Sequence, residues 1–173
     1  MKHMFDSRNK RLICETIFDD PKRDFFLREL AEESDVSPST ASRIVKELNQ
    51  ESILDVDNSG IRMSIQAADN EKFKGLKQSY NLWKLSESSL IDNIEEECFP
   101  EAIVLFGSYS RGEDTKNSDI DIAIVNGRKF KHKKHNYSFN RELSFHNVNL
   151  DEAGKNFIES LANGITMRGH LEI

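Results

Sequence analysis

The sequence predicts an α+β protein, and three observations lead to that class. Residues 8–67 show helical apolar stripes followed by a short alternating pattern typical of a β-hairpin. Residues 68–98 carry helical spacing and fit one helix, or two helices with a break at Ser86-Glu87-Ser88-Ser89. From residue 99 onward, an apolar run, a glycine turn and a second apolar run follow one another, as in a strand–turn–strand unit. We therefore expect an N-terminal domain at 1–67, a helical connector at 68–98 and a small α/β domain at 99–173.

Composition narrows the class of protein. The chain has 173 residues, of which 37% are hydrophobic and 31% charged, and its net charge is −6. These values are typical of a soluble globular protein and argue against indiscriminate binding to nucleic acid. The sequence contains no apolar run of membrane-spanning length, and its start lacks the apolar core of a signal peptide. Cys14 and Cys98 are isolated, which favours reduced thiols and a cytoplasmic location.

The first helix is expected from Ser7 to Phe18. Apolar residues recur along it at helical spacing, at Leu12, Ile13, Ile17 and Phe18. Asp19-Asp20-Pro21 ends it, because the residue before proline is disfavoured in the helical region.

The next two helices are separated by a short turn. One covers about 26–35, and the other begins after Ser37, a suitable N-cap, with Pro38 in its first position. Their apolar stripes are formed by Leu27, Leu30 and Ala31 and by Ala41, Ile44, Val45 and Leu48. Two short alternating segments at 53–56 and 61–65 flank Asp57-Asn58-Ser59-Gly60, a hairpin turn. This helix-turn-helix with a hairpin resembles the winged helix domains of prokaryotic transcription regulators.

The resemblance implies a DNA-binding surface on the second of these helices. Its candidate residues are Ser39, Thr40, Ser42, Arg43 and Lys46, with Arg62 on the hairpin. Residues 1–66 contain ten Lys and Arg against thirteen Asp and Glu, a net charge of −3. Because that balance gives a weak electrostatic footprint for DNA, a role in protein docking or homodimerisation stays open beside duplex binding.

The C-terminal domain is organised around a glycine turn. Ile103 to Phe106 form a continuous apolar run, as a strand buried on both faces requires. Gly107 lets the backbone turn sharply, and Ser108 opens a helix whose first amide groups can hold phosphate oxygens. The stretch therefore predicts a phosphate-binding turn.

A pair of carboxylates follows on the next strand. Residues two apart in a strand point to the same face, so Asp119 and Asp121 should project together, while Ile120, Ile122 and Ile124 face the core. Two adjacent carboxylates repel each other unless a cation lies between them. Hard oxygen ligands of this kind suit Mg²⁺, or Mn²⁺.

Gly107-Ser108, Arg111-Gly112 and Ser118-Asp119-x-Asp121 together resemble the signature of minimal nucleotidyltransferases of the DNA polymerase beta-like superfamily. The resemblance implies a small domain with a mixed sheet, in which the serine turn and Arg111 hold NTP phosphates. Ser118 belongs to the same phosphate-binding signature. Asp119 and Asp121 would act as catalytic metal ligands, and an acceptor hydroxyl would attack the α-phosphate.

Active members of that superfamily carry a third carboxylate on a further strand, for which the segment 143–148 is the candidate. The best register places Ser144 at that position, and a shifted register offers Glu142. Since serine is a poor replacement for a metal-binding carboxylate, nucleotide binding is expected while turnover stays open. A helix over 151–162 and a final edge strand over 165–173 should complete the domain.

The basic run Arg128 to His135 is interpreted as a solvated loop, with a role beside the triphosphate as the alternative. Zinc binding by His132 and His135 is not expected, because no further ligands lie at suitable spacing.

Two classes of function follow. The first is a nucleotidyltransferase moving NMP from an NTP to a hydroxyl group. Its acceptor could be a HEPN-type ribonuclease, since minimal nucleotidyltransferases are often paired with such partners as antitoxins. The second is a DNA-binding regulator whose degenerate transferase domain senses nucleotide without turnover.

Overall fold

The structure is a computed structural model that describes residues 7–60, 63–131, 137 and 139–172. The chain forms two compact units, one up to Lys74 and one from Gly75. Helix α4 (Glu71–Glu87) begins in the first unit and continues in the second. Within the described residues, no helix is both long and apolar enough to cross a membrane. The mixed α+β class predicted from the sequence is confirmed.

The first unit contains α1 (Arg8–Asp19), β1 (Phe25–Phe26), α2 (Leu27–Glu33), α3 (Pro38–Gln50), β2 (Leu54–Asp57) and β3 (Ser64–Ala67). The strands are antiparallel in the order β1-β3-β2. As expected, Ser37 precedes α3, and its hydroxyl accepts a hydrogen bond from the Thr40 amide at 3.2 Å. The apolar stripes of the helices form the buried core, which includes Ile13, Ile17, Leu30, Ala41, Ile44 and Leu48.

The sequence did not predict β1. Phe25 is buried and pairs with Ile65 of β3, whereas Phe26 is exposed and directly precedes α2. A strand of two residues is too short to show an alternating pattern. The described residues exclude Ile61 and Arg62, so the predicted contribution of Arg62 to a DNA-binding surface lies outside them.

The second unit continues from α4 with α5 (Leu90–Cys98), β4 (Ala102–Phe106), α6 (Gly107–Ser110), β5 (Ile120–Val125), β6 (Leu143–Val148), α7 (Lys155–Ala162) and β7 (Ile165–Gly169). Its sheet has the order β6-β5-β4-β7 and is mixed, because β5 and β6 are parallel while the other pairs are antiparallel. The predicted helical break falls at Ser88-Ser89, between α4 and α5.

Both faces of this sheet are covered. One face packs on α5 through Ile91, Ile94 and neighbouring side chains, and the other packs on α7 through Phe157 and Leu161. Every residue of β4 is buried, which explains its continuous apolar run. Helix α7 begins at Lys155, so the helix predicted from residue 151 was too long at its start, where the chain instead forms a turn.

Candidate functional site

The predicted phosphate-binding turn lies where β4 ends. Gly107 has a φ of +75°, in the left-handed region that favours glycine, and begins the single-turn helix α6. The Ser110 hydroxyl donates a hydrogen bond to the Gly107 carbonyl oxygen at 2.8 Å. The Ser108 carbonyl accepts hydrogen bonds from the Arg111 and Glu113 amides at 3.1 and 3.0 Å. The turn is therefore stabilised by hydrogen bonds among its own residues.

Asp121 lies directly beside this turn. The antiparallel register of β4 and β5 pairs Phe106 with Asp121. A Cβ atom added to Gly107 would lie 2.5 Å from Asp121 Oδ2. The absence of a side chain at residue 107 thus lets the Asp121 carboxylate approach the backbone of the turn.

The two predicted metal ligands differ in their surroundings. Asp119 is exposed and immediately precedes β5, whereas the Asp121 side chain is 28% exposed within the strand. Asp121 points to the sheet face that packs on α7, and Ile120, Ile122 and Ile124 point to the face that packs on α5, as the alternation predicted.

The parallel pairing of β5 and β6 places Ser144 beside Asp121. Glu142 precedes β6 and is exposed, and its carbonyl oxygen accepts a hydrogen bond from the Ile120 amide at 2.8 Å. Of the two alternatives for the third active-site position, the register therefore favours Ser144.

His146 lies two residues beyond Ser144 on the same face of β6, and the sequence alone gave it no role. His146 Nε2 lies 3.2 Å from Asp121 Oδ1. The imidazole ring packs edge-on against Phe106, with ring centroids 5.1 Å apart, and also contacts Phe157. Its proximity to Asp121 follows from the parallel register, which the sequence alone does not specify.

The other predicted phosphate-binding residues have protein partners. Arg111 Nε donates to Glu113 Oε2 at 2.8 Å, and its side chain is 50% exposed. The Ser118 hydroxyl accepts a hydrogen bond from the Thr115 amide at 2.9 Å. Ser118 thus stabilises the loop that leads to the aspartates, and an exposed Arg111 can exchange its surface ion pair for another anion at little cost.

A buried ionic cluster holds the same loop, and the sequence analysis missed it. Asp114 is 1% exposed and lies 3.1 Å from both Lys77 Nζ and Arg141 Nη2. Asn81 Nδ2 donates to Asp114 Oδ1 at 2.9 Å, and Lys77 also donates to the Asp114 carbonyl oxygen. One signal was present in the sequence: Lys77 lies between Phe73 and Tyr80 at helical spacing, so a charge occupies an apolar stripe of α4.

We tested whether these residues fit a divalent cation. The part of the chain that the structure describes has no group of three or more His, Cys, Asp or Glu side chains arranged to hold a metal ion. Asp119 and Asp121 still supply hard oxygen ligands, and the missing side chain at Gly107 lets the Asp121 carboxylate lie against the backbone of the turn. Mg²⁺ commonly takes one or two protein carboxylates and completes its shell with water and phosphate oxygens. The donor set therefore fits a divalent cation that binds together with a triphosphate.

The predicted DNA-binding face of α3 is solvent-accessible. Ser39, Ser42, Arg43 and Lys46 are exposed, and Thr40 is half-buried. Arg43 Nη1 donates to Glu47 Oε1 at 2.6 Å, one helical turn away. The opposite face of α3 is buried, so the polar stripe and the core stripe separate as predicted.

The sequence also drew attention to two histidines of the basic run and to the two cysteines. His132 and His135, for which zinc binding was not expected, lie outside the described residues. Both cysteines are buried thiols, and burial raises the pKa of Cys14 to about 12 and also raises the pKa of Cys98. A protonated, buried thiol is a poor nucleophile and a poor metal ligand.

Comparison with known proteins found one family match, in the second unit. Residues 88–164 match the family model described as polymerase beta, nucleotidyltransferase. The matched range contains the Gly107 turn, both aspartates and strand β6, and it supports a nucleotidyltransferase domain in this part of the chain. No curated protein and no solved structure matched the chain.

Proposed function

We propose that the second unit transfers a nucleoside monophosphate from an NTP to an acceptor hydroxyl in a reaction that depends on a divalent metal ion. The observation that carries this proposal is the approach of the Asp121 carboxylate to the Gly107 turn, inside the range that matches the family model. This approach supports one binding site shared by phosphate oxygens and a cation.

The chain's own residues have separate tasks in this mechanism. The Gly107-Ser108 turn holds the β- and γ-phosphates, so that the α-phosphorus faces the incoming acceptor oxygen. Asp119 and Asp121 would hold the metal ion, and Arg111 would contribute positive charge beside the phosphates. The ion would supply neutralisation of charge on the phosphates and on the leaving group. The acceptor oxygen forms a bond to the α-phosphorus, the bond to the β-phosphate oxygen breaks, and pyrophosphate leaves while the hydroxyl proton passes to solvent.

The first prediction concerns Asp119→Asn. We expect the purified chain to bind a non-hydrolysable NTP in the presence of Mg²⁺, and the variant to bind it about 100-fold more weakly, because losing even a supporting partner of a metal ligand costs 10–100-fold in metal affinity. Isothermal titration calorimetry with and without Mg²⁺ measures this without knowledge of the acceptor.

Asp151→Asn is the matched control for that titration. It removes the same charge from an exposed position that follows β6 at the end opposite Ser144. Binding should be unchanged in this variant. Equal NTP affinity of Asp119→Asn and the original chain would contradict the proposal.

Three classes of acceptor fit this reaction: a hydroxyl of a nucleic acid, of a protein such as a HEPN-type ribonuclease, or of a small molecule. Metal-dependent NTP binding without a labelled product on any of these would favour a nucleotide-sensing role over turnover.

We propose a second function, duplex DNA binding, for the first unit. The order of its elements, with a helix pair followed by an antiparallel strand pair, supports the winged helix assignment. The exposed polar stripe of α3 supports its use as the recognition helix. Since residues 1–66 carry a net charge of −3, affinity must come from this local face.

The second prediction tests that face. Arg43→Ala and Lys46→Ala should each weaken binding and lower the slope of log affinity against log salt by about one, as expected when one phosphate contact is lost. Fluorescence anisotropy on duplexes selected from a random pool measures both quantities. Lys22→Ala, at an exposed site between α1 and β1, is the control and should leave the slope unchanged. Identical behaviour of all three variants would exclude α3 as the DNA-binding surface.

A further inference from the structure

His146 is a nitrogen donor that the fold brings to Asp121, one of the two predicted metal ligands. It lies on β6 next to Ala123 of β5, two residues beyond Ser144, and therefore on the same sheet face as Asp121. Its Nε2 atom is 3.2 Å from Asp121 Oδ1, and its side chain is 38% exposed. The His146 side chain is thus partly open to solvent.

The ring is held in place by aromatic packing. Phe106, the last residue of β4, meets the imidazole at an interplanar angle of 66°, and Phe157 of α7 meets it at 45° with centroids 5.9 Å apart. Phe106 and Phe157 also pack edge-to-face on each other, at 5.4 Å. Contacts with two rings that support each other leave the imidazole little rotational freedom.

The separation of the two donor atoms fits a shared cation. Adjacent ligands of an octahedral ion, each about 2.1 Å from it, lie about 3 Å apart. The distance between His146 Nε2 and Asp121 Oδ1 is 3.2 Å. Both atoms could therefore bind one ion without any change in the pairing of β5 and β6.

We propose that His146 Nε2 is a direct ligand of the metal ion that Asp121 holds, and that the site consequently prefers a first-row transition-metal ion such as Mn²⁺ to Mg²⁺. Imidazole is a borderline ligand that transition-metal ions accept readily, whereas Mg²⁺ favours a shell made of oxygen atoms. Ser144, the residue paired with Asp121, offers no carboxylate, so His146 is the further donor on this face that the contacts support. The inference rests on the proposed function, because the ion is the one that nucleotidyl transfer requires.

The test uses the full chain, Mn²⁺ and a non-hydrolysable NTP. Pulsed electron paramagnetic resonance detects a ¹⁴N nucleus bound directly to Mn²⁺, so the original chain should give a ¹⁴N coupling that His146→Gln lacks. Mn²⁺ affinity should fall about tenfold or more in His146→Gln, while Mg²⁺ affinity changes much less. His146→Asp should restore an oxygen ligand and shift the preference toward Mg²⁺. His170→Gln, at a side chain that is 82% exposed, is the control and should keep the coupling.

The outcomes separate the two proposals. Mn²⁺ binding without ¹⁴N coupling in the original chain would overturn the inference and leave the proposed function intact, because His146 would then only donate a hydrogen bond to Asp121. An unchanged coupling in a folded His146→Gln variant would overturn it as well. Failure of the original chain to bind either ion, with the nucleotide present, would contradict the proposed function itself. Circular dichroism spectra of each variant confirm that the fold is retained.

Discussion

Asp114→Ala is expected to lower the free energy of unfolding of the second unit by about 3–5 kcal/mol, the usual effect of removing one partner from a buried ion pair. The carboxylate is 1% exposed, and the side chains of Lys77 and Arg141 that contact it are 1% and 6% exposed. Alanine would leave two buried cations without the anion that now lies between them. Such charges are costly because water cannot replace the lost partner.

Chemical denaturation followed by circular dichroism measures this change. Asp151→Ala, at an exposed position, is the control and should alter the free energy of unfolding by less than about 0.5 kcal/mol. In the double variant Asp114→Ala, Lys77→Met we expect part of the loss to be recovered, since the substitution also removes one of the two uncompensated charges. A loss below about 1 kcal/mol in the single variant would show that the cluster contributes little to stability.

Gly107→Ala is expected to weaken metal-dependent NTP binding about 100-fold while the protein stays folded, because a ligand that Asp121 provides would be displaced. Two effects combine at this position. The φ of +75° disfavours any residue with a side chain, and the new Cβ would lie 2.5 Å from Asp121 Oδ2. The short Asp121 side chain would have to turn away from the space that the cation and phosphates need.

Gly75→Ala is the matched control for Gly107→Ala. A Cβ added at Gly75 meets no atom within 4 Å, and the residue lies inside helix α4. That variant should gain up to about 1 kcal/mol of stability from the better helix propensity of alanine and bind NTP normally. Calorimetric titration measures the NTP affinity of both variants, and melting curves verify that they are folded. Unchanged NTP affinity of Gly107→Ala would remove the turn from the binding site.

The parts of the fold that the sequence predicted are those with local causes. The apolar run before Gly107 and the alternation that buries Ile120, Ile122 and Ile124 depend only on residues along one strand, and both features appear at the expected positions. The N-cap at Ser37 and the break at Ser88-Ser89 are equally local. In each case the determining residues lie within a few positions of the feature.

The features that the sequence did not predict depend on residues far apart in the chain. Asp114 meets Lys77 and Arg141 across separations of 37 and 27 residues, and no periodicity connects them. His146 reaches Asp121 only because β6 runs parallel to β5 in one particular register. The strand β1 likewise exists because Phe25 finds a partner on β3. Long-range pairing of this kind is specified by the packed fold rather than by any single segment.

The position of β4 and β5 inside the sheet has a consequence for how a ligand is received. Strands covered on both faces open least readily, so the backbone that carries Gly107 and Asp121 is already close to its binding geometry. Under the proposed function, little ordering entropy would be lost there when a nucleotide binds, and that side of the site would be preorganised. Strand β6, at the edge of the sheet, carries His146 and has more freedom to adjust. In the proposed site, the aspartate–glycine side would therefore act as the fixed template, and any adjustment of the backbone would fall on strand β6.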